Sequence, residues 1–339
     1  MAKKALVTGI TGQDGSYLAE FLLKKGYDVF GLERRASTKN RGNIKHIESE
    51  IHFISGDMLD SNSLIRAISE AQPDEIYNLA AQSFVAESWH QKRYTHEVNS
   101  SGVINLLEAV YEVKPDAKVY QAGTSEMFGK VQETPQKETT PFYPRSPYGI
   151  AKLAAYWTVV NFRESYSLFA CSGLLFNHES PRRGLEFVTR KITNAVVQIK
   201  LGLIDKFFLG NIGTKRDWGF AGDYVAAMWL MLQQNEPDDF VIATGKTNTV
   251  RKFVELAFEA VNIKIESNGK KGVDEKYIRT DTGSVVLEIN SKFFRPAEVY
   301  LLMGDSSKAR KKLGWKPKVN FEELVRMMVK SDLKLLSKK

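Results

Sequence analysis

The run Val7-Thr8-Gly9-Ile10-Thr11-Gly12-Gln13-Asp14-Gly15 constrains the fold more than any other feature of this chain. It follows a short apolar stretch, Lys4–Thr8, and leads into an amphipathic one, Ser16–Lys25. Glycines at 9, 12 and 15 allow a tight turn, let a phosphate approach bare backbone, and let a helix pack closely on a strand. The free N–H groups at the helix start, with the positive end of its dipole, then hold a pyrophosphate. A glycine triplet alone is weak evidence. At the first strand–helix junction it points to a dinucleotide-binding domain, with Gly9, Thr11, Gly12, Gln13, Asp14 and Gly15 as its phosphate turn.

The rhythm downstream agrees. Strands are expected at Lys4–Thr8, Asp28–Leu32, Ile51–Ser55, Glu75–Leu79 and Lys118–Ala122. Helical patterns separate them at Ser16–Lys25, Ser61–Ala71, Val98–Tyr111 and Pro147–Ser167. Continuous apolar strands between helices imply a parallel sheet covered on both faces. Right-handed crossovers make it doubly wound, an α/β sheet of the Rossmann type. After Leu175 the alternation breaks into Arg-rich loops at Asn177–Gly184 and Asn211–Trp218. Helices follow at Phe187–Gly202, Ala221–Gln234, Lys308–Leu313 and Phe321–Leu336, and Asn262–Lys292 reads as a flexible insertion or a hairpin. The expected division is a dinucleotide domain at 1–176 and a smaller C-terminal α/β substrate lobe at 177–339, with the chain free to cross between them.

Composition excludes other classes. The 339 residues exceed one typical domain, and 43% hydrophobic content supports a sizeable core. The one cysteine, Cys171, lies in an apolar run and forms no internal disulfide; a buried thiol is expected. The five histidines show no ligand spacing, so no metal is expected. The net charge of +8 is read as a Lys-rich surface, because no nucleic-acid-binding pattern accompanies it. The apolar piece near the N-terminus is too short for a signal peptide and no run could span a bilayer, so the expectation is a cytoplasmic protein with neither membrane nor nucleic acid as partner.

The end of the second strand selects between dinucleotides. An acid there binds the ribose hydroxyls of NAD, whereas arginine accommodates the phosphate of NADP. The sequence Glu33-Arg34-Arg35-Ala36-Ser37 carries both signals. Arg34, Arg35 and the Ser37 hydroxyl suit a phosphate, with Glu33 turned away or paired to an arginine, and NADP is the favoured cofactor. Asp57 and Met58, after the third strand, are placed beside the adenine. Leu79, Ala80, Ala81, Gln82 and Ser83, after the fourth, are placed beneath the pyrophosphate and nicotinamide ribose.

Tyr148-Gly149-Ile150-Ala151-Lys152 puts a phenol and an ammonium on one helix face. A nearby Lys⁺ and a nicotinamide cation would lower the phenol's pKa and let it act as a base. On its own the pattern is common. It gains weight by following a fifth strand that ends in Gly123-Thr124-Ser125-Glu126.

The two motifs together are the signature of extended short-chain dehydrogenase/reductases, and the chain resembles one family among them, the GDP-mannose 4,6-dehydratases, over nearly its whole length. The likeness rests on Leu6–Leu18, Arg34-Arg35-Ala36-Ser37, Thr124-Ser125-Glu126 and Thr140-Pro141-Phe142-Tyr143-Pro144-Arg145-Ser146-Pro147-Tyr148. It extends through Leu175–Gly184, Phe187–Lys191, Arg216-Asp217-Trp218-Gly219 and Phe294-Arg295-Pro296-Ala297-Glu298-Val299. Gly123 departs from the Ser common in that family, and Glu33 replaces an apolar or neutral residue.

The resemblance implies that Thr124, Glu126, Tyr148 and Lys152 are catalytic, with Ser83 and Ser125 beside the sugar. It implies that Tyr94, His178 and Arg183 touch the cofactor. It also implies a GDP-sugar site at Asn177, Val188, Lys191, Leu209, Gly210, Arg216, Arg251, Arg295 and Glu298, whose cations suit a diphosphate. The implied reaction oxidises C4 of GDP-mannose, eliminates water across C5 and C6, and returns the hydride to C6. A GDP-manno-heptose, a GDP-sugar epimerase or 4-reductase, and a dinucleotide-sensing protein without activity are the alternatives. Glu126 is the discriminator, since an epimerase needs no acid–base group for elimination at C5. The resemblance further implies a homo-oligomer, a tetramer, in which the segment Arg35–Lys45 reaches a neighbouring subunit; that segment is long against usual connections of about 2–6 residues.

Overall fold

The structure is a computed structural model and describes residues 2–337. Apolar runs form β1 (Lys4–Thr8), β2 (Asp28–Glu33), β3 (Ile51–Ser55), β4 (Glu75–Asn78), β5 (Lys118–Ala122) and β6 (Ala170–Leu175). Both β4 and β6 are buried along their whole length, as strands covered on two faces must be. With Phe240–Ile242 they make a seven-stranded sheet in the order Phe240–Ile242, β6, β5, β4, β1, β2, β3. Every neighbouring pair is parallel. This is the expected doubly wound α/β sheet. The chain runs outward from β1 to β3, then crosses to β4 on the other side. The crevice at the carboxyl ends of β1 and β4 is therefore where a ligand belongs.

A second core lies beyond it. Phe207–Leu209, Ile265–Ser267, Lys276–Arg279 and Val285–Ile289 form a four-stranded sheet, and Val188–Lys200, Val250–Ala260 and Phe321–Leu336 pack with it. The chain passes between the two cores more than once. Ala221–Leu232 packs against the first helix of the large unit, and Phe240–Ile242 then joins the large sheet.

Three local readings change and one open alternative is settled. The first helix begins at Gln13, not Ser16, because Gly12 leads straight into it without a loop. The expected helix Val98–Tyr111 is broken: Lys92–His96 is followed by a wide-turned segment, Glu97–Ser101, and then Gly102–Val113. From that wide turn the Asn99 amide bonds the Gln82 backbone twice, accepting from its N–H at 2.8 Å and donating to its carbonyl at 2.9 Å. The segment 262–292 takes the hairpin alternative, extended by a further strand, and not the flexible insertion. It supplies three strands, and Tyr277, Val286, Leu287 and Ile289 are buried in the second core. The helix Val250–Ala260 was unforeseen, although Val250, Phe253, Val254, Ala257 and Phe258 repeat at helical spacing and are all buried.

Candidate active site

A cleft of about 740 Å³ opens over the carboxyl ends of β1 to β4. Its floor is the glycine turn. A Cβ on Gly9 would lie 2.8 Å from the Leu79 carbonyl carbon, and one on Gly15 would lie 2.3 Å from the Gly9 oxygen. Both neighbours are backbone and cannot yield, so the turn must stay bare. No side chain caps the helix Gln13–Lys24, which leaves its first N–H groups for an anion. Thr8 joins the two strand ends: its hydroxyl donates to Asn78 at 2.6 Å and accepts from the N–H groups of Leu79 and Ala80 at 3.1 and 3.0 Å. Nothing in the motif had singled Thr8 out.

The residues expected to touch the cofactor fall into two groups. Gly9, Thr11, Gly12, Gln13, Asp14, Gly15, Arg34, Arg35, Asp57, Met58, Leu79, Ala80, Ala81, Ser83, Tyr94 and Arg183 all line the cleft. Arg34 donates to the Tyr94 hydroxyl at 2.7 Å. Glu33 is bound by Arg41 through both oxygens, at 2.9 and 2.6 Å. Ser37 does not line the cleft; it is exposed on the loop between Ala36 and Thr38, which do. Gln82 and His178 stand behind the wall instead of in it. Gln82 donates to the Phe84 carbonyl at 3.1 Å, and its own side-chain oxygen is buried without a partner. His178 lies 2.7 Å from Asp14 and 2.8 Å from the Phe176 carbonyl, so it orients Asp14.

The residues expected to be catalytic lie further along the same edge. Thr124 follows β5, and its hydroxyl accepts from the Glu126 N–H at 3.3 Å, closing a single turn over Ser125–Met127. Ser146 caps the helix Pro147–Tyr166 by accepting from the Gly149 N–H at 3.0 Å, and Pro147 sits where its missing N–H is harmless. Tyr148 therefore falls in the first turn, with Lys152 one turn on. A Cβ on Gly149 would lie 2.7 Å from the Glu126 carbonyl oxygen, so glycine at this position lets the helix approach the Glu126 turn. Thr124, Ser125, Glu126, Tyr148 and Lys152 are all buried.

Their protonation differs from the sequence expectation. Burial pushes the Tyr148 phenol up to about 12, against the opposing influence of the Thr124 hydroxyl. The expected lowering by Lys152 is absent: its ammonium donates to the Ala122 carbonyl at 2.9 Å and lies 6.0 Å from the phenol ring centre. Burial also lowers Lys152 to about 8, which weakens it further as a source of positive charge.

Above them lies a basic wall drawn from the second half of the chain. Arg295 reaches Glu126 at 3.2 Å, and Arg216 reaches Glu298 at 3.6 Å. The Lys191 ammonium sits 3.8 Å over the Phe293 ring, and burial lowers its pKa. Gly210 permits a close pass, since a Cβ there would lie 2.5 Å from the Phe293 carbonyl oxygen; Leu209 before it is buried. The Asn177 side-chain oxygen is buried without a hydrogen-bond partner, while Val188 is exposed. Arg251 is committed to Glu275, 2.9 Å from each of its oxygens. Among the described residues no cluster could hold a metal ion, and no helix is long and apolar enough to cross a membrane.

A parallel seven-stranded sheet with a bare glycine turn at its switch point, and a buried tyrosine–lysine pair beyond it, defines an extended short-chain dehydrogenase/reductase. The sequence profile of the GDP-mannose 4,6 dehydratase family matches residues 6–328. The chain is 53% identical to the GDP-mannose 4,6-dehydratase of Yersinia enterocolitica, over 98% of this chain and 94% of that one. It is 55% identical to the human GDP-mannose 4,6 dehydratase, over 98% and 92%. Among solved structures, the Thermus thermophilus UDP-glucose 4-epimerase complexed with NAD superposes with a TM-score of 0.81 at 27% identity, covering 97% of this chain and 98% of that one. The chain belongs to the GDP-mannose 4,6-dehydratase family.

Proposed function

We propose that the protein is an NADP-dependent hydro-lyase that converts GDP-D-mannose to GDP-4-keto-6-deoxy-D-mannose and water. The observation that carries this reading is Glu126, a buried carboxylate one short turn from the tyrosine site. Epimerisation needs only the tyrosine. Elimination needs a second group to move the C5 proton.

The dinucleotide fits the cleft. The bare backbone at Gly9 and Gly15 and the uncapped helix suit its pyrophosphate, and Arg34 and Arg35 suit a 2′-phosphate. Bound there, NADP⁺ would accept a hydride and later give it back, and its nicotinamide charge would favour the ionised phenol. Tyr148, as phenolate, then takes the proton from the C4 hydroxyl; its raised pKa opposes the ionisation that must come first. Thr124 holds the same oxygen. A ketone at C4 acidifies the C5 proton, which Glu126 removes and passes to the C6 hydroxyl as it departs as water; as the hydride returns to C6, Tyr148 gives C5 the proton it took from the C4 hydroxyl, which restores the phenolate. Arg216, Arg295 and Lys191 supply cations for the diphosphate. Lys152 keeps the tyrosine helix tied to the end of β5.

Incubation with GDP-mannose and NADP⁺ tests this. The expected product has lost one water, with no net consumption of cofactor. An isomer of unchanged mass would indicate an epimerase, and stoichiometric use of NADPH would indicate a reductase. Faster turnover of a GDP-manno-heptose would move the substrate to that sugar. Tight cofactor binding without turnover of any GDP-sugar would leave a sensing protein. A cytoplasmic location and a homotetramer belong to the same reading. The exposed stretch 35–40 supports the second, and light scattering on the eluting protein measures its mass.

A further inference from the structure

We infer that Arg41 sets the choice of dinucleotide in this chain, by holding the Glu33 carboxylate away from the ribose and leaving the adjacent arginines to a 2′-phosphate. This rests on the nicotinamide-dinucleotide reading of the cleft. Glu33 ends β2, where a free carboxylate would accept ribose hydroxyls and repel a phosphate. Here it is not free. Arg41 grips it as a fork, with Nε donating to Oε1 at 2.9 Å and Nη2 to Oε2 at 2.6 Å. That is the strongest geometry available to the pair.

Arg41 is itself immobilised. Its Nη1 donates to Glu48 at 2.5 Å, and its guanidinium lies 3.6 Å over the Phe53 ring. Just beyond it, Asn43 donates to the Thr11 carbonyl at 3.1 Å, and Ile44 is fully buried. The loop is thereby pinned to the glycine turn at the site it serves. The Glu33 and Arg41 side chains are only 19% and 14% exposed, so water screens the pair far less than a surface pair. Arg34, Arg35 and Lys39 then line the cleft with the Glu33 carboxylate beside them already neutralised. The conflict between Glu33 and the arginine pair is resolved by a residue outside the strand-end motif.

Titration calorimetry of the full chain with NADP⁺ and with NAD⁺ reads the ratio of the two affinities. The wild-type ratio should favour NADP⁺. Arg41→Ala should lower it by about tenfold or more, since a charged hydrogen-bonding partner is exchanged for a free repelling charge. Glu33→Gln together with Arg41→Ala should return the ratio to within a few-fold of wild type, and Glu33→Gln alone should keep or raise it. Equal loss of both affinities in Arg41→Ala overturns the inference, because Arg41 is then only part of the wall. A double variant as poor for NADP⁺ as Arg41→Ala also overturns it, by assigning the loss to a direct phosphate contact. If Arg41→Ala does not fold, Glu33→Gln decides: a fall in the ratio sinks the inference. A wild type without NADP⁺ preference removes both this inference and the NADP reading, whereas a wild type that prefers NADP⁺ with an unaltered ratio in Arg41→Ala removes this inference alone.

Discussion

The dinucleotide cleft and the tyrosine site share one edge of the sheet and are built by opposite means. The cleft floor is backbone: a glycine turn of seven residues, an uncapped helix, and two strand ends tied by Thr8. The tyrosine site is side chains brought from far apart. Arg295 meets Glu126 across 169 positions of sequence, and Arg216 closes over them from the short strand Lys215–Arg216. The first region is made of groups every residue has, so it depends on what must be absent, namely a Cβ. The second depends on what must be present, and on two cores holding it together. Substitutions should therefore fail differently in the two regions.

The largest effects belong to the tyrosine site and should leave the cleft untouched. Tyr148→Phe keeps the packing but removes the base, and Glu126→Gln removes the proton carrier. Each should lower turnover of GDP-mannose by about 10²–10⁴-fold with cofactor affinity near wild type. Solvent deuterium should no longer enter C5 in Tyr148→Phe, because that proton is acidic only after C4 is a ketone. Retained exchange would reverse the proposed order of steps, and near-normal turnover of Glu126→Gln would remove it from the reaction.

The converse test is Gly15→Ala. Its Cβ would meet Gly9 and Ile10 backbone at 2.3 and 2.5 Å, and neither can rotate aside. A loss of about 3 kcal/mol is expected, at the upper end for overpacking. Both dinucleotides should weaken together, since the pyrophosphate turn is common to them. Chemical denaturation and cofactor titration read the two effects. A stable variant with normal binding would show that the turn can open.

His178 and Asp14 link the regions, since one follows β6 and the other lies in the glycine turn. Burial disfavours the imidazolium, but Asp14 at 2.7 Å outweighs it and raises His178 above its ordinary 6.5. Burial also opposes the carboxylate, and His178 with its hydrogen bond outweighs that, holding Asp14 below 3.8. The His178 contribution is complete below pH 6.5 and is lost as pH rises through its raised value. The Asp14 contribution is complete above pH 3.8 and is lost as pH falls through its lowered value. His178→Asn should thus destabilise by about 2 kcal/mol inside that window and by less above it. Melting curves of both proteins across pH measure the difference, and a constant gap would mean that packing against Tyr224, not charge, holds the ring.

The smallest effect separates the cofactors within the cleft. Arg35→Ala should weaken NADP⁺ by about tenfold and leave NAD⁺ nearly unchanged, because only the former carries a phosphate for the guanidinium. Equal weakening would make Arg35 a solvated charge.

Much of the cleft was readable from the chain because its causes are local. Glycine spacing, a strand before it and a helix after it act within a few residues, and the strands β1, β3 and β5 fall where alternation and apolar runs put them. The Tyr148–Lys152 spacing is local too, one turn of one helix. Other features had no local cause. Phe240–Ile242 is three residues long, and it is a strand because β6 offers it an open edge. Residues 262–292 are polar in sequence, yet Tyr277, Leu287 and Ile289 find a core only when Phe207–Leu209 pairs beside them. The phenol of Tyr148 is raised and the ammonium of Lys152 lowered by burial that no spacing encodes. Glu33 opposes the arginine pair in sequence, and only the folded chain decides that Arg41 is the arginine that binds it. Periodicity and turn chemistry travel along the backbone, whereas charge, solvation and strand partners depend on what arrives through space.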